Sequence, residues 1–272
     1  MHYVVGDIHG CYKAWIRLKN RIEKMDSNAQ FVLIGDIVDR GPEVIKMIRW
    51  AMDNISADGK YQMIMGNHEV EKIEWMRQLF ALYDRCHDLD RAMDYVQSDY
   101  YDFKDNLLDA KVSIDEIRRI NKFFMERPFY KEIDLPGAEK RFIVVHGGID
   151  YAMLDEHEHM REASVIEEYE LVEGRRISPV DGATYMIWDR KTSGYPNLKN
   201  TVVINGHTPT ITARILEANG TAGRIFYAPN SINIDCGMTY YFLNHKEFYE
   251  ARYGNLAAVC LETMEEFYSY KR

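Results

Sequence analysis

Nine residues of the chain are of types that could do chemistry together: Asp7, His9, Asp36, Asp39, Arg40, Asn67, His68, His146 and His207. Each lies just past a short apolar run. They offer carboxylate and amide oxygens and imidazole nitrogens, with no thiolate. That mixture suits Mn, Fe or Zn better than Ca or Cu(I). Asp7, His9, Asp36, Asn67, His146 and His207 make a candidate ligand set. One ion holding all of them would have no open position for substrate or water. Two ions sharing a carboxylate would each keep room, and ions about 3.5–4 Å apart can clamp a phosphoryl group and generate hydroxide at neutral pH. Asp36 is the natural bridge, being central in the chain order of the ligands.

Such residues must be gathered by the backbone, and the first 70 residues show how. A short apolar run ending in a polar cluster with Gly and Asp or Asn occurs three times: "HYVVGDIHG", "QFVLIGDIVDRG" and "YQMIMGNHE". Two runs lead into helical periodicity. Trp15, Leu18, Ile22 and Met25 share one helical face. Val44, Ile45, Ile48 and Met52 share another after Pro42, a residue suited to a first helical position. Strand, loop and helix in succession mark an α/β sheet with parallel strands. Sites in such sheets gather at the carboxyl edge of the strands, where all three polar clusters would lie. Gly6, Gly35 and Gly66 would let the chain turn sharply after each strand.

Residues 70–128 read differently, as mostly helical, charged and rich in Tyr and Phe. In "SIDEIRRINKFFMERP", Ser113 and Glu116 form a capping-box pattern and Ile114, Ile117, Ile120 and Phe124 an apolar stripe. This segment reads as a helical insertion or cap on one domain spanning residues 1–272. Strand patterns return at "KRFIVVHGGID", "NTVVINGHTP", "RIFYAPNSINIDCG" and "NLAAVCLET". The charged stretch 155–176 between them reads as helix.

The blocks "GDIHG", "GDIVDRG", "GNHE", "HGG" and "GHTP" resemble, in order and spacing, the signature blocks of the calcineurin-like metallophosphoesterases. More narrowly they resemble the phosphoprotein phosphatase family, with its bacterial and phage serine/threonine phosphatases and symmetrical dinucleoside tetraphosphatases. The blocks run from residue 6 to 208. The resemblance implies two packed mixed β-sheets flanked by helices. It implies two transition-metal ions, Mn first, with Fe or Zn as alternatives. By position, Asp7 and His9 match ligands of the first ion, Asp36 the bridge, and Asn67, His146 and His207 ligands of the second. His68 matches the general acid and Asp39 the partner that orients it. Arg40 matches a phosphate-binding arginine, and Arg190 in "MIWDR" a second. Phosphoryl charge would be met by the two guanidinium forks. An alkoxide leaving group would take its proton from His68.

What the resemblance implies about substrate is divided. "GHTP" resembles the bacterial, phage and dinucleotide-hydrolysing members, whereas "HGGID" is closer to protein phosphatases. The first expectation is a phosphatase of phosphomonoesters, chiefly phosphoserine and phosphothreonine in proteins. Symmetrical hydrolysis of diadenosine tetraphosphate is the alternative. A binding module on an inactive phosphatase fold would lack ligands, and here every candidate is present.

Composition sets outer bounds. The net charge of −9 disfavours binding nucleic acid, which needs a basic face. No run of 18 apolar residues exists to span a membrane. "MHYVVGDIHG" lacks the basic and long apolar regions of a signal peptide. Cys11, Cys86, Cys236 and Cys260 form no CxxC pair and read as reduced structural thiols, giving a cytoplasmic expectation. His157 and His159 read as part of a solvated charged face, His2, His87 and His245 show no partner pattern, and Asp235 in "NIDCG" reads as holding a loop.

Overall fold

The computed structural model describes residues 1–97, 103–161, 182–241 and 253–270. Two five-stranded mixed sheets pack face to face. The first has the order β10-β9-β1-β2-β3, with β1 at His2–Val5, β2 at Gln30–Leu33, β3 at Tyr61–Met63, β9 at Ala257–Cys260 and β10 at Glu266–Tyr268. β1, β2 and β3 run parallel, while β9 is antiparallel to both β1 and β10. The second has the order β4-β5-β6-β8-β7, with β4 at Tyr130–Ile133, β5 at Arg141–Val145, β6 at Thr201–Asn205, β7 at Phe226–Ala228 and β8 at Ser231–Asn233. β5, β6 and β8 are parallel, and β4 and β7 close the edges antiparallel. The expected α/β architecture of two mixed sheets with flanking helices is what the chain adopts.

Alternation along the strands explains the layering. Val4, Val32, Val144, Ile204 and Ile232 point between the sheets and form one apolar cluster with Ile34, Ile64 and Ile234. Their neighbours Tyr3, Val5, Phe31, Leu33, Ile143, Val145 and Val203 point outward into a second cluster shared with the helices. Strands covered on both faces read as continuous apolar runs, as these do. Each fully buried Val, Leu or Ile contributes about 1.5–3 kcal/mol.

Helix α1, Tyr12–Met25, buries Trp15, Leu18 and Ile22. Met25, expected on the same face, is instead exposed at the last turn, past the sheet it would pack on. Helix α2, Val44–Asn54, has Glu43 as its N-cap. Pro42 therefore lies in the preceding turn and not at the first helical position. The "DRG" loop uses those residues to leave the sheet before the helix starts.

Four helices follow β3: α3 at Asn67–Cys86, α4 at Leu89–Tyr95, α5 at Phe103–Asp109 and α6 at Ile114–Met125. Helical reading of 70–128 is matched over the described residues, but the first helix starts earlier, with the "NHE" of "GNHE" as its first turn. Ser113 caps α6 by accepting from the Glu116 N–H at 3.2 Å. The Glu116 carboxylate does not complete a box; Arg49 takes it, at 2.7 Å.

The stretch 155–161 is turn and bridge, not helix. Asp155 accepts from the backbone N–H groups of His157 and His159, which closes a turn and leaves no helical ladder. The remainder of that charged run, and His245, lie outside the described residues. No described helix is long and apolar enough to cross a membrane. All four cysteines are free thiols.

Candidate metal centre

The carboxyl ends of the parallel strands of both sheets converge. Asp7 follows β1, Asp36 follows β2, Asn67 follows β3, His146 follows β5 and His207 follows β6. All five are buried, as are His9, Asp39 and His68. Buried charges and imidazoles are stable only with partners, so their pairing is informative.

Asp36 is the hub. Its Oδ2 lies 3.5 Å from Nε2 of His9, 3.3 Å from Nε2 of His146 and 3.8 Å from Nε2 of His68. Its Oδ1 accepts from the His68 backbone N–H at 3.0 Å. Ligand atoms of Asp36, His146 and His207 lie within 4.8 Å of one another, as do those of His9, Asp36 and His68. Each group could hold an ion, with Asp36 common to both. Asn67 joins through its Oδ1, 2.9 Å from Nε2 of His146. Asp7 stands slightly apart: its Oδ2 accepts from the His207 backbone N–H at 3.2 Å, and among the described residues no compact group of His, Asp or Glu ligand atoms includes it.

At the ligand cluster, Asp7 Oδ1 and His207 Nε2 are buried without hydrogen-bond partners among the described residues, as is Oδ1 of the neighbouring Asp39. Buried polar atoms normally find partners, so an orphaned carboxylate oxygen and imidazole nitrogen at a ligand cluster fit a cation as the missing partner. Imidazole orientation agrees. Nδ1 of His9 donates to the Val38 carbonyl at 2.8 Å, and Nδ1 of His146 to the Ile34 carbonyl at 2.9 Å. Both therefore turn Nε2 toward Asp36, the arrangement by which outer hydrogen bonds fix a ligating tautomer.

The electrostatics show the strain of this packing. Burial pushes Asp7 well above the usual carboxylate range, and Asp235 beside it adds to the rise. Burial also raises Asp235, to about 6. Burial opposes ionisation of Asp36 too, but the neighbouring His146, His68 and His9 outweigh it and hold Asp36 well below the ordinary value. For His146, burial is outweighed by Asp36, Asp7 and Glu69, and its value rises to about 10. Burial drives His207 down to about 2, with His146 and Arg190 adding to the fall. Burial, Arg40 and His68 likewise hold His9 well below its ordinary value. A bound cation reverses this logic, favouring ionised carboxylates and neutral imidazoles.

The backbone is bent to make these contacts. His9, Asp36, Asp39, Arg40 and His207 all have left-handed φ, between 45° and 66°. Such a conformation costs a non-glycine residue of order 1 kcal/mol and persists where surrounding structure over-determines it. The glycines between them allow the close approach. A Cβ on Gly41 would sit 1.9 Å from the His9 carbonyl oxygen.

Nδ1 of His68 lies 2.6 Å from Oδ2 of Asp39, the expected dyad. Arg40 donates to Nε2 of His9 at 3.0 Å. Arg190, exposed at the rim, donates to the His207 carbonyl at 2.9 Å. Both guanidinium groups thus reach the cluster from its rim. Asp235 holds its loop as expected, accepting from the Gly237 N–H at 2.9 Å.

A family model for calcineurin-like phosphoesterases matches residues 3–218. The chain belongs to the calcineurin-like phosphoesterase family. Its matched relatives include a symmetrical bis(5'-nucleosyl)-tetraphosphatase of Delftia acidovorans, 37% identical over 68 residues, covering 25% of this chain and 23% of that protein. One of the same name from Methylobacillus flagellatus is 28% identical over 147 residues, covering 54% of this chain and 43% of that protein. The phosphoesterase described here thus matches less than half the length of these curated relatives. A Saccharomyces cerevisiae serine/threonine phosphatase shares the fold with a TM-score of 0.55 at 13% identity, over 100% of this chain and 80% of that one. A putative diadenosine tetraphosphatase shares it at 0.50 and 16% identity, over 98% and 91%.

Two residues of this phosphoesterase matter more than the sequence suggested. Glu69, inside "GNHE", accepts from the backbone N–H groups of Asp36, Ile37 and Gly66 at 2.8, 2.9 and 3.0 Å. It clips the Asp36 loop to the start of α3. Burial and the Asp36 charge raise it to about 7. Lys72 is buried and reaches Asp39. The signal for Glu69 was its place in the motif; for Lys72 it was the four-residue step from His68 along one helix. Of the histidines read as unpartnered, His2 pairs with Glu262 at 2.7 Å. His159 lies 2.9 Å from Glu132.

Proposed function

We propose that the protein is a metal-dependent phosphatase whose first substrates are phosphomonoesters, chiefly phosphoserine and phosphothreonine in proteins. The observation that carries this reading is the buried Asp39–His68 dyad beside Asp36. A proton donor of that kind accelerates departure of an alkoxide, a poor leaving group, and helps a good one little. Two transition-metal ions would be held by Asp7, His9, Asp36, Asn67, His146 and His207, with Asp36 shared. When bound, they supply Lewis acidity and a nucleophile at neutral pH; Mn is the first expectation, with Fe or Zn as alternatives.

The chain's own groups do the rest. Asp39 holds the His68 imidazole with Nε2 turned to the cluster, within 3.8 Å of Asp36 Oδ2. From there His68 hands its proton to the departing oxygen. Arg40 and Arg190 would leave their present acceptors and grip phosphoryl oxygens, where planar forks bind in pairs. Burial of Asp36, Asp39 and His68 keeps bulk water from the proton-donor side and strengthens the contacts made there.

A second reading is symmetrical cleavage of a dinucleoside tetraphosphate, favoured by the names of the curated relatives. A side-by-side assay decides. The Mn-loaded protein is given diadenosine tetraphosphate and a phosphoserine peptide. ADP release far faster than peptide dephosphorylation sinks the first reading. No Mn-stimulated hydrolysis of either, or of a chromogenic phosphomonoester, sinks both and favours a binding module on this fold.

A further inference from the structure

Lys72 lies four residues after His68 on α3, so both side chains project from the same face one turn apart. Its Nζ lies 3.1 Å from Oδ2 of Asp39. That oxygen is the one that accepts from Nδ1 of His68. The other carboxylate oxygen, Oδ1, is buried and has no hydrogen-bond partner. One oxygen of Asp39 thus receives both an imidazole and an ammonium, and its twin receives neither. Lysine is almost never fully buried unless paired, and here it is 1% exposed. A carboxylate that met only His68 could swing about its Cβ–Cγ bond and carry its accepting oxygen off the line of Nδ1. The ammonium removes that freedom, because rotation would break two charge-assisted contacts at once.

The placement of Lys72 also reaches outward. Its Nζ lies 5.7 Å from the centroid of Phe103, the first residue of α5, within the range of a cation–π contact. Phe103 packs edge-on against Trp75 of α3 and is itself fully buried. Glu71, half-buried next to Lys72, has its carboxylate near His68 and Asp39. The helices after β3 therefore end in a charged and aromatic wall directly behind the dyad.

We infer that Lys72 is a positioning residue for proton donation: it locks Asp39 Oδ2, and through it the His68 ring, in the orientation that turns Nε2 toward the cluster. The inference rests on the reading of His68 as the proton donor. It differs from a simple ion pair that neutralises a buried aspartate, which would affect folding alone.

The test compares Lys72→Met, Lys72→Arg and His68→Asn, each Mn-loaded, on a graded series of aryl and alkyl phosphomonoesters. For Lys72→Met the expected result is a kcat loss of about tenfold or more on alkyl esters, under about threefold on nitrophenyl phosphate, with KM little changed. Lys72→Arg should restore most of the alkyl-ester rate, and Lys72→Met should cost nothing further in the His68→Asn background. A second readout needs no turnover. In the zinc-loaded protein, a proton held between His68 Nδ1 and Asp39 should give a low-field NMR line, absent in His68→Asn and lost or strongly shifted in Lys72→Met. An equal loss on good and poor leaving groups, or an unmoved line, overturns the inference. If Lys72→Met does not fold, Lys72→Gln takes its place with the same outcomes. If His68→Asn shows no leaving-group dependence, the donor role of His68 fails, and the NMR line alone decides whether Lys72 holds the ring.

Discussion

Oδ1 of Asn67 and Nε2 of His146 meet at 2.9 Å although 79 positions separate them in the chain. Asn67 stands at the end of a first-sheet strand and His146 at the end of a second-sheet strand. The contact is therefore a direct measure of how the two sheets are set against each other. It also makes the pair a sensitive place to test ligation. Asn67→Ala or His146→Ala should lower bound Mn from two ions per chain toward one, read by elemental analysis. Saturating metal stabilises a folded site by about 2.7 kcal/mol at a hundredfold excess over Kd, so the rise in Tm on adding Mn should shrink in both variants. Full metal content in either variant would remove that residue from the ligand set.

His68→Ala should behave differently. It should keep both ions and lose about 10²–10⁴ in kcat on esters with poor leaving groups. The check is elemental analysis alongside the hydrolysis of an alkyl and an aryl phosphate. Loss of metal would mean His68 is a ligand, a role its 3.8 Å approach to Asp36 also allows.

Gly206→Ala tests the geometry from the backbone side. A Cβ there would fall 2.2 Å from Asp7 Oδ1, so the carboxylate must move. Overpacking of this kind costs about 1–3 kcal/mol in stability. Displacing a ligand's support typically costs about 10–100-fold in metal affinity. Metal titration followed by differential scanning calorimetry reads both. Unchanged affinity would show that Asp7 does not ligate through Oδ1.

Glu23 provides a pH prediction far from the cluster. Burial opposes its ionisation, but hydrogen bonds from Lys19, Lys60 and Tyr61 outweigh that and lower its value from 4.5 to about 2. Lys19 lies at 2.6 Å and Lys60 at 2.7 Å. A depressed carboxylate stabilises the fold above its unfolded value and stops doing so as pH falls through the folded one. Glu23→Gln should therefore be less stable than the parent at neutral pH. The gap should narrow between pH 4.5 and 2 and close below it. Denaturant melts across that range measure it, and a gap that persists at the acid end would contradict the assignment.

Much of this was legible along the chain. Strand, loop and helix followed from residue period and glycine placement, because those are local preferences. The polar residues at the strand ends declared themselves by type: an aspartate or histidine closing an apolar run has a short-range signature. What went astray was local in another sense. Met25 continued the face of α1 past the sheet that could cover it. The Glu116 side chain had a choice between its own cap and Arg49 on another helix, and took the cation. In each case the tertiary surroundings, absent for Met25 and present for Glu116, overrode the local pattern.

By itself, then, the sequence determined most element types, the residue types that close the strands and the order in which they follow along the chain. Only the tertiary structure decided which atoms share which oxygen. That Asp36 faces three imidazoles, that Glu69 clips its loop, and that Lys72 and His68 converge on one oxygen of Asp39 depend on the stacking of two sheets and the path of α3. Contacts of this kind hinge on ångström-scale distances between residues remote in sequence. Hydrophobic period and turn chemistry carry no information at that scale; packing does.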